Sequence, residues 1–268
     1  MTKELNRLCE IEWGISHDVD WFNKASKQDD PITQYIIGLC YKNGKGLEKN
    51  MESAVEWYTK AAEQGYVKAQ YTLGFYYYMG KGKNLNYSFK WFNEAANNGD
   101  KSSQFYLAGF YERGEIVVKN LYTAFKFYKK AALQDDKGGQ YKLGEFYELG
   151  KGINKNLWYA FEWYKKALHN GHTYANAAMN NIILPEPPSH LCCPITGELM
   201  NDPVITKDGH TYERIAIEKW MSINETSPIT REKIDMIIPN RIIKKVINEW
   251  KESLSEKPDI PQKRARHE

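Results

Sequence analysis

Cysteine is scarce in this 268-residue sequence: Cys9, Cys40, Cys192 and Cys193 are the only four. Adjacent Cys192 and Cys193 could bond to each other only through a strained ring, and reduced thiols are expected. Long apolar runs are missing as well. No stretch approaches the length that crosses a bilayer, and the opening Met1-Thr2-Lys3-Glu4-Leu5-Asn6-Arg7 has no apolar signal core. A cytoplasmic address is expected, with a nuclear one open and the host cytosol the relevant compartment if the source is a pathogen; no membrane partner is expected. Charge of one sign is also lacking. The 37 basic and 34 acidic residues leave a net +3, too little for the broad basic surface that nucleic-acid binding uses. The basic tail Lys263-Arg264-Ala265-Arg266 is short and is expected to be a solvated end spanning 257–268. With 42% hydrophobic and 26% charged residues, the chain has ordinary globular composition and can bury a sizeable core.

What the sequence does have is self-similarity. Trp21, Trp57, Trp91, Phe127 and Trp163 are separated by 36, 34, 36 and 36 residues, and an aromatic follows each: Phe22, Tyr58, Phe92, Tyr128 and Tyr164. Ala61-Ala62, Ala95-Ala96, Ala131-Ala132 and Ala167-Leu168 follow four and five residues later, which is helix-face spacing. The other half of each unit runs Thr33, Ala69, Ser103 and Gly139, then Ile37, Leu73, Leu107 and Leu143, then Tyr41, Tyr77, Tyr111 and Tyr147, all in steps of four. Gly38, Gly74, Ala108 and Gly144 lie among them and predict close helix approach, offsetting a propensity cost near ~1 kcal/mol for each glycine. Gly44, Gly80, Gly114 and Gly150 fall where a helix end favours positive φ. Each unit therefore reads as helix, glycine turn, helix.

These residues resemble the Sel-one-like branch of the tetratricopeptide-type repeats, and Tyr71 to Gly99 follows that pattern almost without interruption. The resemblance implies a mainly α protein whose residues 1–182 form an α-solenoid: a degenerate first unit carrying Trp21, Phe22 and Ala25, four full units near 31–66, 68–99, 101–136 and 137–171, and a closing helix over 172–182. Ala108, Ile116 and Asp135 stand where the pattern has glycine, which bears on the turns of the third unit. The pattern residues are expected to be core. Stacked units of this kind bind through positions outside the pattern, so Tyr76, Tyr78, Glu112, Arg113 and Glu148 are the candidates for contact with a protein substrate or adaptor.

Regularity stops at Ile183-Leu184-Pro185-Glu186-Pro187-Pro188, where three prolines in four positions predict a stiff linker over 183–190. Beyond it the pattern becomes that of a small α+β domain over 191–256. Short extended runs are expected at Pro203-Val204-Ile205 and His210-Thr211-Tyr212, a helix near 214–222 burying Ile217 and Met221, and an amphipathic helix with Ile243, Val246, Ile247 and Trp250 on one face behind an Asn240 N-cap. His190, Cys192, Cys193 and His210 do not have zinc-site spacing, since two of the four are adjacent and no C-x-x-C pair occurs. No metal and no cofactor is expected.

Cys193-Pro194-Ile195-Thr196, Glu198-Leu199-Met200, Asp202-Pro203-Val204, Gly209 to Arg214, Ile217 to Trp220, Pro228-Ile229-Thr230 and Ile238-Pro239-Asn240 resemble, in order, the motifs of the U-box, the metal-free relative of the RING domain. The resemblance implies a ubiquitin-protein ligase without covalent intermediate: the U-box binds a ubiquitin-charged conjugating enzyme, so that a substrate lysine attacks the thioester, and the contribution is proximity and orientation. It implies a docking groove of Ile195, Trp220 and Pro228, and a cation, Arg231, that bonds both conjugating enzyme and ubiquitin. Hydrogen bonds and ion pairs are implied where a RING uses zinc, with Asp202, Glu213, Arg214, Glu218 and Lys219 supplying suitable groups whose loss would strand a buried charge. Cys193 falls at a packing position and has no evident activator, so it is not expected to be a nucleophile. Gly197 stands where several U-boxes place a bulky apolar residue, which leaves a non-catalytic repeat scaffold with a degenerate U-box as the alternative. Homodimerisation stays open.

Overall fold

In the computed structural model of this chain, residues 27, 29–45, 47–80 and 82–256 are described; the degenerate first unit, Cys9 and the basic tail lie outside them. The chain divides into two compact units, the first ending at Leu143 but regaining His169–His172, the second made of Gly144–Leu168 and the residues from Thr173 onward.

The first unit stacks antiparallel helix pairs: α1 (Pro31–Asn43) with α2 (Met51–Glu63), α3 (Val67–Met79) with α4 (Leu85–Asn97), and α5 (Lys101–Arg113) with α6 (Leu121–Ala132), followed by the start of α7 (Lys137–Leu149). Side-chain caps define most of these starts. Asp30, Asn50, Asn84, Asp100 and Asn120 each accept from an amide of the following first turn, as Asn and Asp do at N-caps. Ile37, Leu73 and Leu107 are wholly buried, as the repeat pattern requires. Of the paired aromatics on these helices, the second is always buried, as Tyr58, Phe92 and Tyr128 are, whereas of the first only Trp91 is buried and Trp57 and Phe127 are half-exposed with Lys60 and Lys130 over their rings.

Close approach explains two helix glycines. A Cβ on Gly38 or Gly74 would lie 2.5 Å from Tyr58 or 2.6 Å from Phe92, well inside van der Waals contact. The expectation of positive φ at the helix ends holds at Gly44, Gly114 and Gly150 but not at Gly80, which is extended at φ −78°. Glycine is needed at 80 for a different reason: a Cβ there would meet the Tyr76 carbonyl oxygen at 2.4 Å. The Asp135 substitution does not disturb its turn. Asp135 adopts φ 58°, a conformation that Asp tolerates better than most residues, and the turn of its unit is kept.

A polar element of the repeat is also in register. Gln70, Gln104 and Gln140, all buried, donate through Nε2 to the carbonyls of Ala62, Ala96 and Ala132 in the preceding unit. Their Oε1 atoms accept from Asn98, Gln134 and Asn170. These staples satisfy buried amides between stacked units. Gln34, Gln70, Gln104 and Gln140 recur with the period of the tryptophans, a signal visible in the sequence that reading only apolar periodicity passes over.

The second unit contains the rest of α7, then β1 (Lys155–Asn156), α8 (Leu157–His169), α9 (Ala175–Asn180), a 3-10 turn at Ser189–Leu191, β2 (Pro203–Thr206), β3 (Thr211–Glu213), α10 (Arg214–Met221), β4 (Ile237–Pro239), α11 (Arg241–Ser253) and β5 (Ser255–Glu256). Gly144 repeats the close approach, with a Cβ 2.6 Å from the Tyr164 ring. The antiparallel sheet has the order β3-β2-β4, with Val204 opposite both Tyr212 and Pro239. Leu191, Cys193, Met200, Val204, Tyr212, Ile217, Ile234 and Ile247 form one core beneath the sheet and helices. Asn240 caps α11, accepting from the Ile243 amide at 3.1 Å. Strands β4, β1 and β5 had no separate signal in the sequence. Ile237–Pro239 is three residues with a proline, and β1 and β5 are two residues each, fixed only by pairing with each other.

Candidate functional site

The α+β module displays its candidate residues on two loops and a helix. The first loop runs Cys193-Pro194-Ile195-Thr196-Gly197-Glu198 and the second Ser227-Pro228-Ile229-Thr230-Arg231-Glu232. They form the same turn. Gly197 N donates to Cys193 O (2.8 Å) and Cys193 N to Glu198 O (2.8 Å); Arg231 N donates to Ser227 O (3.1 Å) and Ser227 N to Glu232 O (2.8 Å). Each turn is framed by one antiparallel bridge, Cys192 with Leu199 and Thr226 with Lys233. The fifth residue of each has positive φ, 72° at Gly197 and 61° at Arg231. Glycine adopts that conformation freely, whereas arginine is strained in it.

Ile195 is half-buried on the core, as is Trp220 of α10. The Trp220 indole donates to the Thr226 carbonyl at 2.8 Å, tying the helix to the start of the second loop. Pro228 is half-buried and Arg231 is exposed. Cys193 is buried at 1% exposure, a packing position. A Cβ on Gly197 would meet nothing within 4 Å, so the missing side chain leaves open space beside Ile195.

The polar network differs from the expectation. Arg214 Nε pairs with Asp202 Oδ2 at 2.6 Å and Nη1 with Glu218 Oε1 at 3.7 Å, while Glu213 accepts from the amides of Asn201 and Asp202 at 2.6 and 3.1 Å. These partners are solvent-exposed rather than buried: the side chains of Asp202 and Glu218 are 57% and 51% accessible, so solvent screens the pairs and leaves them a minor part in stability. Among the described residues, Lys219 takes no part.

The better-protected network centres on Asp208, Tyr212 and Ser227, which reading for charged pairs missed. Thr206 Oγ1 and His210 N donate to Asp208 Oδ1, and Thr230 Oγ1 donates to Oδ2 at 3.1 Å. Buried Ser227 Oγ lies 3.2 Å from the Tyr212 hydroxyl and accepts from the amides of Ile229 and Thr230. Burial pushes the Asp208 carboxyl up, but hydrogen bonds from Ser227, Thr206, His210 and Thr230 outweigh it and lower its pKa to about 2. This network holds the β2–β3 turn against the loop that carries Pro228 and Arg231. Its sequence signal is faint, since Ser and Thr are common and their partners lie up to 22 residues away.

On the repeats, Tyr78 and Arg113 come together across neighbouring units, Arg113 Nη2 donating to the Tyr78 hydroxyl at 3.2 Å. Arg113 also pairs with Glu115 at 2.9 Å, and Tyr76 packs on Tyr77 and covers Gly82. Glu112 accepts from the buried Tyr128 hydroxyl at 2.8 Å and, in the second unit, Glu148 from Tyr164 at 2.6 Å. The equivalent pair two units earlier is Lys42 with Tyr58, whose buried hydroxyl has no hydrogen-bond partner among the described residues. Where Tyr78 replaces the acid, the aromatic is Phe92, with no hydroxyl to satisfy. Glu112 and Glu148 thus have a structural task.

Stacked helix pairs in a register near 36 residues, followed by a three-stranded module with paired loops, define a repeat protein with a small α+β module. Comparison with known proteins gives both halves a family. The Sel1 repeat model matches residues 19–30, 31–66, 67–100, 101–136 and 138–172, and the U-box domain model matches residues 187–256. The chain belongs to the Sel1 repeat proteins and carries a U-box domain. A solved Sel1 repeat protein from Oxalobacter formigenes is 32% identical, with a TM-score of 0.56 over 60% of this chain and 70% of that one. Over the U-box, the chain is 48% identical to the WD repeat, SAM and U-box domain-containing protein 1 of Danio rerio across 69 residues, 25% of this chain and 14% of that protein. It is 42% identical across 81 residues to a Medicago truncatula protein named "Putative E3 ubiquitin-protein ligase LIN", 29% of this chain and 5% of that protein. The chain thus spans a small fraction of these U-box relatives, which resemble it over this domain.

Proposed function

We propose that this protein is a ubiquitin-protein ligase whose U-box recruits a ubiquitin-charged conjugating enzyme and orients it for direct transfer to a substrate lysine, while the Sel1 repeats bind the substrate or an adaptor. The observation that carries this reading is Arg231: an exposed cation held at φ 61° on the second of two matched loops, where glycine would relieve the strain. Strain kept at an exposed position points to function. Ile195, Trp220 and Pro228 supply apolar contacts beside it, in keeping with interfaces where a few anchors carry most of the affinity. The guanidinium suits the linking role because its planar fork serves two acceptors at once. Catalysis then needs only proximity and orientation, and no nucleophile of this chain is used. On the repeats, Tyr76, Tyr78 and Arg113 are the contact candidates, with Glu112 and Glu148 contributing only through whatever surface their bonded carboxylates leave open.

A second reading, a scaffold that does not support transfer, is favoured by the open space at Gly197. The two are separated by incubating the purified chain with ubiquitin, activating enzyme, ATP and a panel of conjugating enzymes, beside Ile195→Ala and Arg231→Ala. Ubiquitin ladders lost in both variants support the ligase. No ladder with any panel member supports the scaffold.

A further inference from the structure

The last repeat departs from its predecessors at its second helix. The helix-start dipeptides Lys49-Asn50, Lys83-Asn84, Lys119-Asn120 and Lys155-Asn156 share one register, and Trp158 falls where the earlier units have Glu52, Asn86 and Tyr122. Those three are exposed. Trp158 is instead half-buried, with its ring 5.5 Å from that of Trp250 in α11 and Lys251 Nζ 4.8 Å from its centroid. Asn156 caps α8 through Oδ1, as its counterparts cap their helices, but it is 1% exposed and its Nδ2 also donates to the Lys251 carbonyl and to Ser255 Oγ at 2.9 and 2.8 Å. Lys155 and Asn156 pair as β1 with β5 immediately after α11.

The contacts continue inward. Lys251 Nζ lies 3.4 Å from Asn201 Oδ1, and Lys244 donates to the Asn201 carbonyl. Asn201 and Asp202 give their amides to Glu213, and Asp202 pairs with Arg214, the first residue of the helix that carries Trp220. Val246, Ile247 and Trp250 of α11 pack on the core that also supports Ile195.

We infer that Trp158, seated with Asn156 on α11, is a positioning residue of the U-box, completing from the repeat side the polar network through Lys251 and Asn201 that fixes the root of α10. The inference rests on the ligase reading only in naming the Trp220 face as the docking surface. It makes α8, the second helix of the last repeat, part of the folding unit of the U-box, so the Pro-rich segment between α8 and the U-box is not a free hinge.

The test uses the full chain as Trp158→Ala, Trp158→Phe and Lys251→Met. Hydrogen exchange is followed at Asn201, Asp202 and residues 243–253, alongside titration with a conjugating enzyme that binds the unaltered chain. Trp158→Ala is expected to speed exchange at those amides by about tenfold or more and to weaken binding by about threefold or more, with Trp158→Phe restoring most of both. Lys251→Met, which leaves α8 intact, is expected to speed exchange at Asn201 and Asp202 alone. Unchanged exchange at Asn201 and Asp202 in both Trp158→Ala and Lys251→Met would overturn the inference. If no conjugating enzyme binds the unaltered chain, the ligase reading falls and exchange still decides the network.

Discussion

Gly197 and Arg231 occupy the same place in two copies of one turn, each with positive φ and each donating its amide to the carbonyl four residues before. The sequences Cys-Pro-Ile-Thr-Gly-Glu and Ser-Pro-Ile-Thr-Arg-Glu differ at the first and fifth positions. Glycine meets the backbone requirement without strain at 197. Arginine at 231 has no such freedom, and the two loops are thus matched in backbone while only one carries the cation.

Replacing the strained residue should separate stability from function. Arg231→Gly is expected to stabilise the U-box by about 1 kcal/mol, the order of the left-handed penalty, while ubiquitin discharge from a charged conjugating enzyme falls tenfold or more. Hydrogen exchange of the buried U-box amides and single-turnover discharge measure the two. Equal or lower stability in the variant would remove the case for stored strain.

Ile195→Ala should weaken titration with a conjugating enzyme by about tenfold, the scale of a truncated interface anchor. Because Ile195 also packs on the U-box core, exchange at Val204 and Ile205 is read in parallel. Binding lost with those amides still protected places Ile195 at the interface, whereas joint loss makes it a core residue.

The Asp208 network gives the U-box a dependence on acid. Its folded pKa of about 2 lies below the ordinary value of 3.8, so its stabilisation is fully present above that ordinary value and disappears as pH falls through about 2. With solvent screening, the expected contribution is about 1 kcal/mol. Asp208→Asn should therefore lower the stability of the U-box at pH 7 and flatten its acid dependence below pH 4, measured by urea unfolding at a series of pH values. A parallel acid dependence in both proteins would assign the effect to other carboxylates.

Gly74→Ala places a methyl 2.6 Å from the buried Phe92 ring. Helix propensity favours the change by ~1 kcal/mol, but overpacking costs about 1–3 kcal/mol, so net destabilisation of the stacked helices is expected. Thermal unfolding followed by far-UV circular dichroism, beside the control Glu56→Ala on the exposed face of α2, would show it.

Tyr128→Phe should cost about 1 kcal/mol through the lost bond to Glu112, whereas Tyr58→Phe, whose hydroxyl has no partner among the described residues, should be neutral or stabilising. Urea unfolding of the two variants side by side measures the contrast.

The sequence by itself determined the repeat, its helix pairs and the module that follows, because these depend on local periodicities: Leu73 four residues from Ala69 and Tyr77, Gly74 where a neighbouring helix comes close, Asn240 heading an amphipathic helix. It also marked Ile195, Trp220, Pro228 and Arg231 by their motif surroundings. Tertiary structure alone decided which polar groups meet. Asp208 with Thr230, Tyr212 with Ser227, and Asn156 with Ser255 are pairs of uncharged or short side chains, far apart in the chain and without periodicity to announce them. It also decided that Gly80 is extended, that Asp135 and Arg231 are left-handed, and that Trp158, one tryptophan among eight, faces a helix of the U-box. A helical face is set by neighbours three and four residues away, but a hydrogen bond between distant loops exists only once the chain has folded around it.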